Sequence, residues 1–343
     1  MIFSLYPTDH KDIWDAIVIQ AKEFQCTELY CSLHIPEAKN LRQFLRYLKT
    51  LHTSEGFTFI ADISPHVSKM LNLRFDQLPQ LMEYGIKSVR VDFGYSEDEV
   101  IALAHAGFRV AINASTISKE SLERFTELDL IGWHNYYPRP ETGISKSYML
   151  QQNQLLRSYG IPIVTFIPGE SYWRAPFYAS LPTLESQRAL NTYVNYLEMR
   201  QLAPDSDICL AEGVLQEDHK LWIRRYDTEQ VLTLPVSVLD SMKEQFYHSY
   251  FPIRKEVSEM SWRIDHTRAL FQAPNYYLNT NKRAKASIQM DLEGYGRYQG
   301  ELHIMKQDAT LHPLVTRVGA ILEPYENLVD FIESELKICF HVM

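Results

Sequence analysis

A strand, a helix and a second strand follow one another in SVRVDFG (88–94), EDEVIALAHAG (97–107) and FRVAINAS (108–115). The two outer segments are short and apolar, whereas the middle one has apolar residues at helical spacing. It ends at Gly107, a typical C-cap residue of a helix. Strands that alternate with helices in this way are typical of α/β proteins. The unit therefore predicts an α/β fold.

The same alternation recurs through the first 230 residues and gives eight strand–helix units. A doubly wound sheet usually has five or six strands and a glycine fingerprint after the first one. Eight units over about 230 residues fit a (β/α)8 TIM barrel better, and we predict such a barrel over residues 1–230. Besides the two strands above, the predicted strands are IFSLYP (2–7), ELYCSLH (28–34), FTFIADIS (57–64), LIGWHNYYP (130–138), IPIVTFIPG (161–169) and DICLAEG (207–213).

The remainder of the chain, residues 231–343, has a different pattern. VLTLPVSVL, ASIQMDL and YQGELHIMK alternate apolar with polar residues, which predicts strands. Helices are predicted only for SMKEQFYHSY (241–250) and NLVDFIESELK (327–337). GYGRYQG (294–300) lacks the spacing of a nucleotide-binding fingerprint and predicts a hairpin turn. We expect a small β-rich domain here.

The composition excludes several classes of function. Lys and Arg total 34 and Asp and Glu total 43, so the net charge of −9 argues against nucleic-acid or membrane binding. No apolar run is long enough to span a membrane, and the N-terminus lacks the basic region of a signal peptide. The four cysteines show no CxxC or framework spacing, which indicates a reducing, cytoplasmic setting. No metal or cofactor motif is present, so neither is predicted; the sequence does not indicate an oligomeric state.

Polar side chains stand at the carboxyl ends of the predicted strands, which is where the active site of a barrel lies. An Asp in an apolar strand is costly to bury without partners, and one alone is better explained as a helix cap or as a partner of a polar group on a neighbouring strand. Two of them in adjacent strands, Asp62 and Asp92, together with HNYYPRPETG two strands further on, favour a functional pocket. The polar residues at the strand ends are Ser4, Tyr6, Ser32, His34, Asp62, Asp92, Asn113, Ser115, His134, Asn135, Tyr136 and Glu212.

Two loops add further candidates. In WHNYYPRPETGIS (133–145), two prolines stiffen the loop that carries Arg139 and Glu141. PGESYWRAPFYASLPTLE (168–185) carries Arg174, whose guanidinium suits a phosphate or carboxylate unless it pairs with a nearby glutamate. The aromatic residues of this second loop suit a lid, a sugar-stacking wall or simple packing.

The chain resembles the MupG-type 6-phospho-N-acetylmuramidase family in SLYP, ADISP, VRVDFGYS, INAS, WHNYYPRPETG, LPTLE and RYQGEL, taken in order. The resemblance covers nearly the whole chain, and HNYYPRPETG together with PTLE is specific. It implies a (β/α)8 barrel followed by a small cyclophilin-like β domain, in agreement with a boundary after residue 230. It also implies an intracellular hydrolase of peptidoglycan recycling. The implied substrate is a phosphorylated amino-sugar disaccharide, N-acetylmuramic acid 6-phosphate linked to N-acetylglucosamine.

A glycoside hydrolase of this kind needs two carboxyl groups beside the scissile bond. We expect Glu141 to be the acid/base, and Asp92, with Asp62 beside it, to be the nucleophile, base or charge stabiliser. The residues expected to bind substrate are Asn113, His134, Asn135, Tyr136, Arg139, Arg174 and Glu212.

Two alternatives stay open. The same Asp and His residues suit a phosphosugar lyase or isomerase. The chain also departs from the family pattern, because Ala211-Glu212-Gly213 stands in place of Gly-Asp-Pro and Pro-Gly-Glu170 in place of Pro-Gly-Asp. These changes are compatible with a non-catalytic protein that binds a sugar phosphate.

Overall fold

Two compact units, Met1–Gln216 and Glu217–Met343, make up the chain in a computed structural model. The helix that follows the eighth barrel strand groups with the second unit, whereas the sequence pattern predicts the boundary after that helix. The structure describes residues 1–33, 35, 41–91, 94–247, 250–272, 277–279 and 281–343.

The first unit is built around a closed barrel of eight parallel strands, which confirms the predicted fold. Each strand pairs with the next along the chain, and the first closes the barrel against the eighth. The carboxyl ends of all eight strands therefore lie at one end of the barrel. The strands are β1 (Ile2–Leu5), β2 (Glu28–Ser32), β3 (Thr58–Ile63), β4 (Ile86–Val91), β5 (Arg109–Asn113), β6 (Leu130–Trp133), β7 (Ile163–Ile167) and β8 (Asp207–Leu210).

Helices connect the barrel strands, and their capping and periodicity follow from the sequence. The helix before β5 begins with a capping box, in which the Ser96 hydroxyl accepts the Glu99 N–H and the Glu99 carboxylate accepts the Ser96 N–H. It ends before Gly107, which has a φ of 103°. The helices are α1 (Lys11–Glu23), α2 (Leu41–Glu55), α3 (Pro65–Leu71), α4 (Glu97–His105), α5 (Lys119–Arg124), α6 (Lys146–Ser158) and α7 (Thr192–Leu202), with 3-10 turns at Phe75–Tyr84 and Glu185–Gln187.

The interior of the barrel is filled by side chains from alternate strand residues. Three large aromatic rings, those of Tyr30, Trp133 and Phe166, are buried and contact one another. Their centroids lie 5.5 Å (Tyr30 to Trp133), 5.1 Å (Tyr30 to Phe166) and 5.8 Å (Trp133 to Phe166) apart. The barrel is thus a packed core, and a ligand site has to lie at its mouth.

Asp62 and Arg90 face each other across neighbouring strands inside this core. They are aligned in the register of β3 with β4, and both are buried. Arg90 Nη1 donates to Asp62 Oδ1 at 2.8 Å and to Oδ2 at 2.9 Å, and the Tyr30 hydroxyl donates to Oδ2 at 2.5 Å. The pair is therefore stabilised by the hydrogen bonds that buried charges require.

The second unit is a curled, mixed seven-stranded sheet with the helix α8 (Glu217–Glu229) packed on it. Trp222 of α8 contacts the rings of Tyr325 and His341, with centroids 5.7 and 5.2 Å away. The strands are β9 (Val231–Val238), β10 (Phe251–Pro252), β11 (Ser261–Arg263), β12 (Ser287–Asp291), β13 (Leu302–Met305), β14 (Val315–Ile321) and β15 (Lys337–Val342). Their order across the sheet is β10-β15-β9-β14-β12-β13-β11, and among these neighbours only β15 and β9 are parallel.

The predicted strands of this unit are confirmed by β9, β12 and β13, and GYGRYQG does form the turn of the β12–β13 hairpin. The predicted helix over 327–337 is wrong. Only a 3-10 turn forms at Glu326–Phe331, because Ile332 is already extended and a turn at residues 334–335 leads directly into β15. The other predicted helix is reduced to α9 (Lys243–Phe246). The likeness to cyclophilins stays a prediction.

None of the helices in the described ranges is both long enough and apolar enough to cross a membrane.

Replacing Asp62 by Asn leaves the buried Arg90 charge facing a neutral amide. We expect the free energy of unfolding, measured by chemical denaturation, to fall by about 3–5 kcal/mol. Asp129→Asn is the matched control, because Asp129 pairs with Arg109 at 3.4 Å in an exposed position. That pair should contribute far less. Equal losses in the two variants would contradict a structural role for the buried pair.

Candidate active site

A cavity of about 370 Å³ opens at the carboxyl ends of the barrel strands. Its walls come from the segments that follow β1, β2, β6 and β7, the end of the barrel at which the active sites of barrel enzymes lie. Its size falls within the range of small-molecule sites, about 300–1,000 Å³. The lining residues are Thr8, Asp9, Ile35, Tyr136, Pro138, Trp173, Arg174, Ala175, Pro176, Tyr178 and Leu181.

The loop after β7 is fastened to the loop after β8 by close backbone approach. A Cβ on Gly169 would lie 1.8 Å from the Glu212 carbonyl oxygen, and one on Gly213 would lie 2.0 Å from the Ser171 carbonyl oxygen. Only glycine fits at either position. The Ser171 hydroxyl also donates to the Val214 carbonyl at 3.0 Å and accepts the Val214 N–H at 3.1 Å. These contacts bring Glu212 against the loop after β7.

Arg174 is held in the cavity wall by an aromatic ring. Its guanidinium carbon lies 3.4 Å from the centre of the Tyr6 ring, a close cation–π contact. Tyr6 is itself fixed, because it is buried and its hydroxyl donates to the Ala211 carbonyl at 2.6 Å. Arg174 Nη2 also donates to the Thr8 hydroxyl at 3.3 Å. The guanidinium is therefore preorganised at the mouth of the barrel.

Glu212 is a buried carboxyl group behind this wall, with an exposed fraction of 1%. Its Oε2 accepts the Arg174 backbone N–H at 3.0 Å, whereas Oε1 makes no regular hydrogen bond with a described residue. Burial raises its pKa to about 7; Asp9 raises it further, and the Arg174 N–H and charge oppose the shift. Glu212 therefore anchors the backbone of the loop that carries Arg174.

Asp9 faces the cavity directly. It follows β1 in a turn, in which its N–H donates to the Tyr6 carbonyl at 3.1 Å. Partial burial raises its pKa to about 6, while the positive charges of Arg174 and His10 oppose the shift. A carboxyl group with a pKa near neutrality, in a cavity wall and beside a fixed cation, can give or take a proton.

Two of the predicted substrate-binding residues, Tyr136 and Arg174, line this cavity, and Glu212 bonds to Arg174 from behind. The Tyr136 ring packs against Phe166 at 5.0 Å, which connects the cavity wall to the barrel core.

His134 lies inside the protein and outside the cavity lining. Its Nδ1 is 3.0 Å from the Ser115 hydroxyl and its Nε2 is 2.7 Å from Asn153 Oδ1. Burial lowers its pKa to about 4, so the ring is neutral at pH 7. Asn113 accepts the Ser115 N–H at 2.9 Å, and Asn135 donates its N–H to the Ser115 hydroxyl at 3.2 Å. These contacts organise the loops after β5 and β6.

Glu141 is exposed and lies outside the described cavity lining. Its backbone N–H donates to Glu185 at 2.8 Å, and the Gly143 N–H donates to the other oxygen of the same carboxylate at 2.7 Å. Hydrogen bonds from Arg188 hold the pKa of Glu185 at about 2, so that this anchor stays ionised. Arg139 is also exposed, and its carbonyl accepts a bond from Arg188.

Of the predicted catalytic carboxylates, Asp62 forms the buried pair with Arg90 in the barrel core. Asp92 lies outside the described residues, as does His34. The sequence analysis did not single out Asp9, which lies three residues beyond Tyr6, the last polar residue named at the end of the first strand. Within the described ranges no group of three or more His, Cys, Asp or Glu side chains could hold a metal ion.

Two family models match the chain: "6-phospho-N-acetylmuramidase, N-terminal" over residues 3–221 and "6-phospho-N-acetylmuramidase, C-terminal" over residues 232–341. Among solved structures, a conserved Enterococcus faecalis protein of unknown function is 25% identical, with a TM-score of 0.85 over 100% of this chain and 96% of that chain. An uncharacterized B. cereus protein, 19% identical, shares the fold with a TM-score of 0.74 over 99% and 98% of the two chains. No curated protein matches the chain.

The raised pKa of Glu212 makes stability depend on pH. In the unfolded chain the Glu212 carboxyl has a pKa near 4.3. Between about pH 4.3 and about pH 7 the folded chain therefore binds more protons than the unfolded chain. The free energy of unfolding contributed by Glu212 therefore falls as the pH rises through this window. Glu212→Gln removes that loss, so the stability of this variant relative to the wild type should increase as the pH rises from about 4.3 to about 7.

Chemical denaturation at several pH values measures this gain. The gain amounts to about 1.4 kcal/mol for each tenfold difference in proton affinity between the folded and the unfolded carboxyl. Glu217→Gln is the matched control, because the Glu217 side chain is 87% exposed. If Glu212→Gln and Glu217→Gln show the same pH dependence as the wild type, the assignment of a raised pKa to Glu212 is wrong.

Proposed function

Because the chain belongs to the 6-phospho-N-acetylmuramidase family, we propose that it is a glycoside hydrolase that cleaves N-acetylmuramic acid 6-phosphate from N-acetylglucosamine. The observation that carries the proposal is the placement of Asp9 and Arg174 in one cavity wall at the barrel mouth. The cavity offers a proton donor and a fixed cation to an anionic sugar. The proposal places the reaction in the cytoplasm, as a step of peptidoglycan recycling.

Asp9 is the proposed general acid. Its carboxyl group lines the cavity, and its pKa of about 6 leaves a useful fraction protonated near neutral pH. In hydrolysis the acid gives its proton to the bridging oxygen as the bond from that oxygen to the sugar carbon breaks. The electron pair of that bond stays on the oxygen, and water then supplies a hydroxyl group to the carbon and a proton to a carboxylate. Asp92 stays the predicted partner carboxylate.

Arg174 is the proposed binder of the 6-phosphate or of the lactyl carboxylate, since a guanidinium presents paired donors to such groups. Its position on the Tyr6 ring keeps it in the wall. Arg174 also stabilises the ionised form of Asp9. An anion bound to Arg174 offsets that stabilisation, so the pKa of Asp9 should rise in the substrate complex. Substrate binding would then favour the protonated acid that cleavage requires.

The experiment that tests the proposal is incubation of the purified chain with the phosphorylated disaccharide, and separately with its unphosphorylated form. Mass spectrometry identifies the products. Release of both intact sugars from the phosphorylated form alone supports the hydrolase. An unsaturated or ether-cleaved product would instead identify a lyase, and binding of the disaccharide without turnover would identify a sugar-phosphate-binding protein.

Asp9→Asn should lower kcat on this substrate by about 10²–10⁴-fold, the usual contribution of a general acid, with little change in the thermal melting temperature. Asp12→Asn is the matched control, because Asp12 is exposed in the first turn of α1. Glu141→Gln tests the acid/base that the sequence analysis predicts. Full activity of Asp9→Asn together with a large loss in Glu141→Gln would transfer the role to Glu141.

A further inference from the structure

A second cavity, of about 390 Å³, lies on the sheet of the second unit. The strands β12 and β13 have one apolar face, on which Ile288, Met290 and Ile304 are fully buried. Because strand side chains alternate, the intervening residues stand on the opposite face. There the register places Arg263 opposite His303, and the cavity opens over these polar residues. Polar residues on a half-covered sheet face need partners of their own, from the protein or from a ligand.

Glu301 is the most buried charge at this cavity, with 2% of its side chain exposed. Arg263 donates to it at 2.5 Å, Arg268 forms a second close pair with it, and Arg254 lies 3.8 Å away. Three guanidinium groups thus share one buried carboxylate. Arg283, whose Nε donates to the Thr310 carbonyl at 2.8 Å, brings a further positive charge to the cavity wall. This positive surplus contrasts with the net charge of −9 of the whole chain.

Hydrogen-bonding groups with unused capacity lie beside these charges. His303 Nε2 is buried and makes no regular hydrogen bond with a described residue, although Asp291 Oδ1 is 3.3 Å away. Its Nδ1 is 3.5 Å from the Ser261 hydroxyl, at the limit of a hydrogen bond. The cavity is thus lined by a carboxylate (Asp291), an imidazole (His303) and a hydroxyl (Ser261). These groups suit a ligand whose own groups both donate and accept hydrogen bonds, such as the hydroxyl groups of a sugar.

Two tyrosines complete the wall. The Tyr295 ring is stacked on His312, with centroids 5.1 Å apart, and its hydroxyl is 3.0 Å from His312 Nε2. The guanidinium carbons of Arg268 and Arg297 lie 4.7 and 5.0 Å from the centre of the Tyr298 ring. Both rings are therefore held in place and give the cavity a rigid apolar surface.

We propose that this cavity is a second ligand site, which binds a sugar that carries an anionic group. The sugar ring packs on the tyrosines, its hydroxyl groups bond to Asp291 and His303, and Arg283 contacts the anion. Arg263 and Arg268 both form ion pairs with Glu301. Arg283 also lines the cavity, but it donates to a backbone carbonyl and pairs with no carboxylate of a described residue. The site lies within the second unit and requires no cleavage of the ligand, so it goes beyond the hydrolysis proposed for the barrel.

The test is titration calorimetry of the full chain with N-acetylglucosamine 6-phosphate as the probe. It is carried out in the Arg174→Met background, in which binding at the barrel cavity is weakened. We expect binding with one equivalent. Adding Arg283→Met should lower the affinity at least about tenfold, since a hydrogen bond to a charged group contributes about 1.5–3 kcal/mol. Arg317→Met is the matched control, because Arg317 is exposed on β14 of the same sheet and outside this lining.

Three further probes assign the chemistry of the ligand. N-acetylglucosamine tests the need for the anion, inorganic phosphate tests the need for the sugar, and N-acetylmuramic acid supplies a carboxylate in place of the phosphate. Tighter binding of either anionic sugar than of both simpler probes supports the proposal. No binding of either anionic sugar, equal binding of the neutral sugar or of phosphate alone, or equal losses in Arg283→Met and Arg317→Met would overturn it. Calorimetry measures binding and not catalysis. Failure of the proposed hydrolysis would appear in the product assay, whereas absence of the second site would appear in the calorimetry.

Discussion

The barrel cavity depends on how the guanidinium of Arg174 is held. It stacks on the Tyr6 ring and donates a hydrogen bond to the Thr8 hydroxyl, and Glu212 fixes the backbone of its loop. Glu212 reaches that backbone only because Gly169 and its counterpart after β8 let the two loops touch. The positive charge fixed in this way opposes the rise in pKa that burial causes in Asp9 and Glu212.

The charge of Arg174 and the burial of Asp9 act in opposite directions. Burial favours the protonated carboxyl, the cation favours the ionised one, and the balance leaves the pKa of Asp9 at about 6. An acid balanced in this way responds to any ligand that changes the local charge. An anionic sugar shifts the balance toward protonation, because its charge offsets that of Arg174. Contact between Arg174 and the anionic group would thus both select a phosphorylated substrate and favour the protonated form of Asp9.

The barrel could be predicted from the sequence because strand and helix periodicities repeat eight times, and this pattern survives local irregularities. The site was harder to predict. Asp62 stands at a strand end as a catalytic residue would, but the register places Arg90 directly beside it in the core. His134 is likewise satisfied by neighbours distant in sequence. Asp9 lies in a turn, and its importance depends on the loop that carries Arg174, which is far along the chain and has no periodic pattern.

The pH dependence of kcat/KM and kcat on the phosphorylated disaccharide tests this account most directly. The kcat/KM profile reports the free enzyme, and the kcat profile reports the substrate complex. With Asp9 as the acid, activity requires its protonated form, so kcat/KM should fall as the pH rises through about 6. In the kcat profile the same limb should lie at higher pH, because the bound anion offsets the charge of Arg174. Limbs at the same pH in both profiles, or no loss of activity between about pH 5 and pH 8, would contradict the coupling between Arg174 and Asp9.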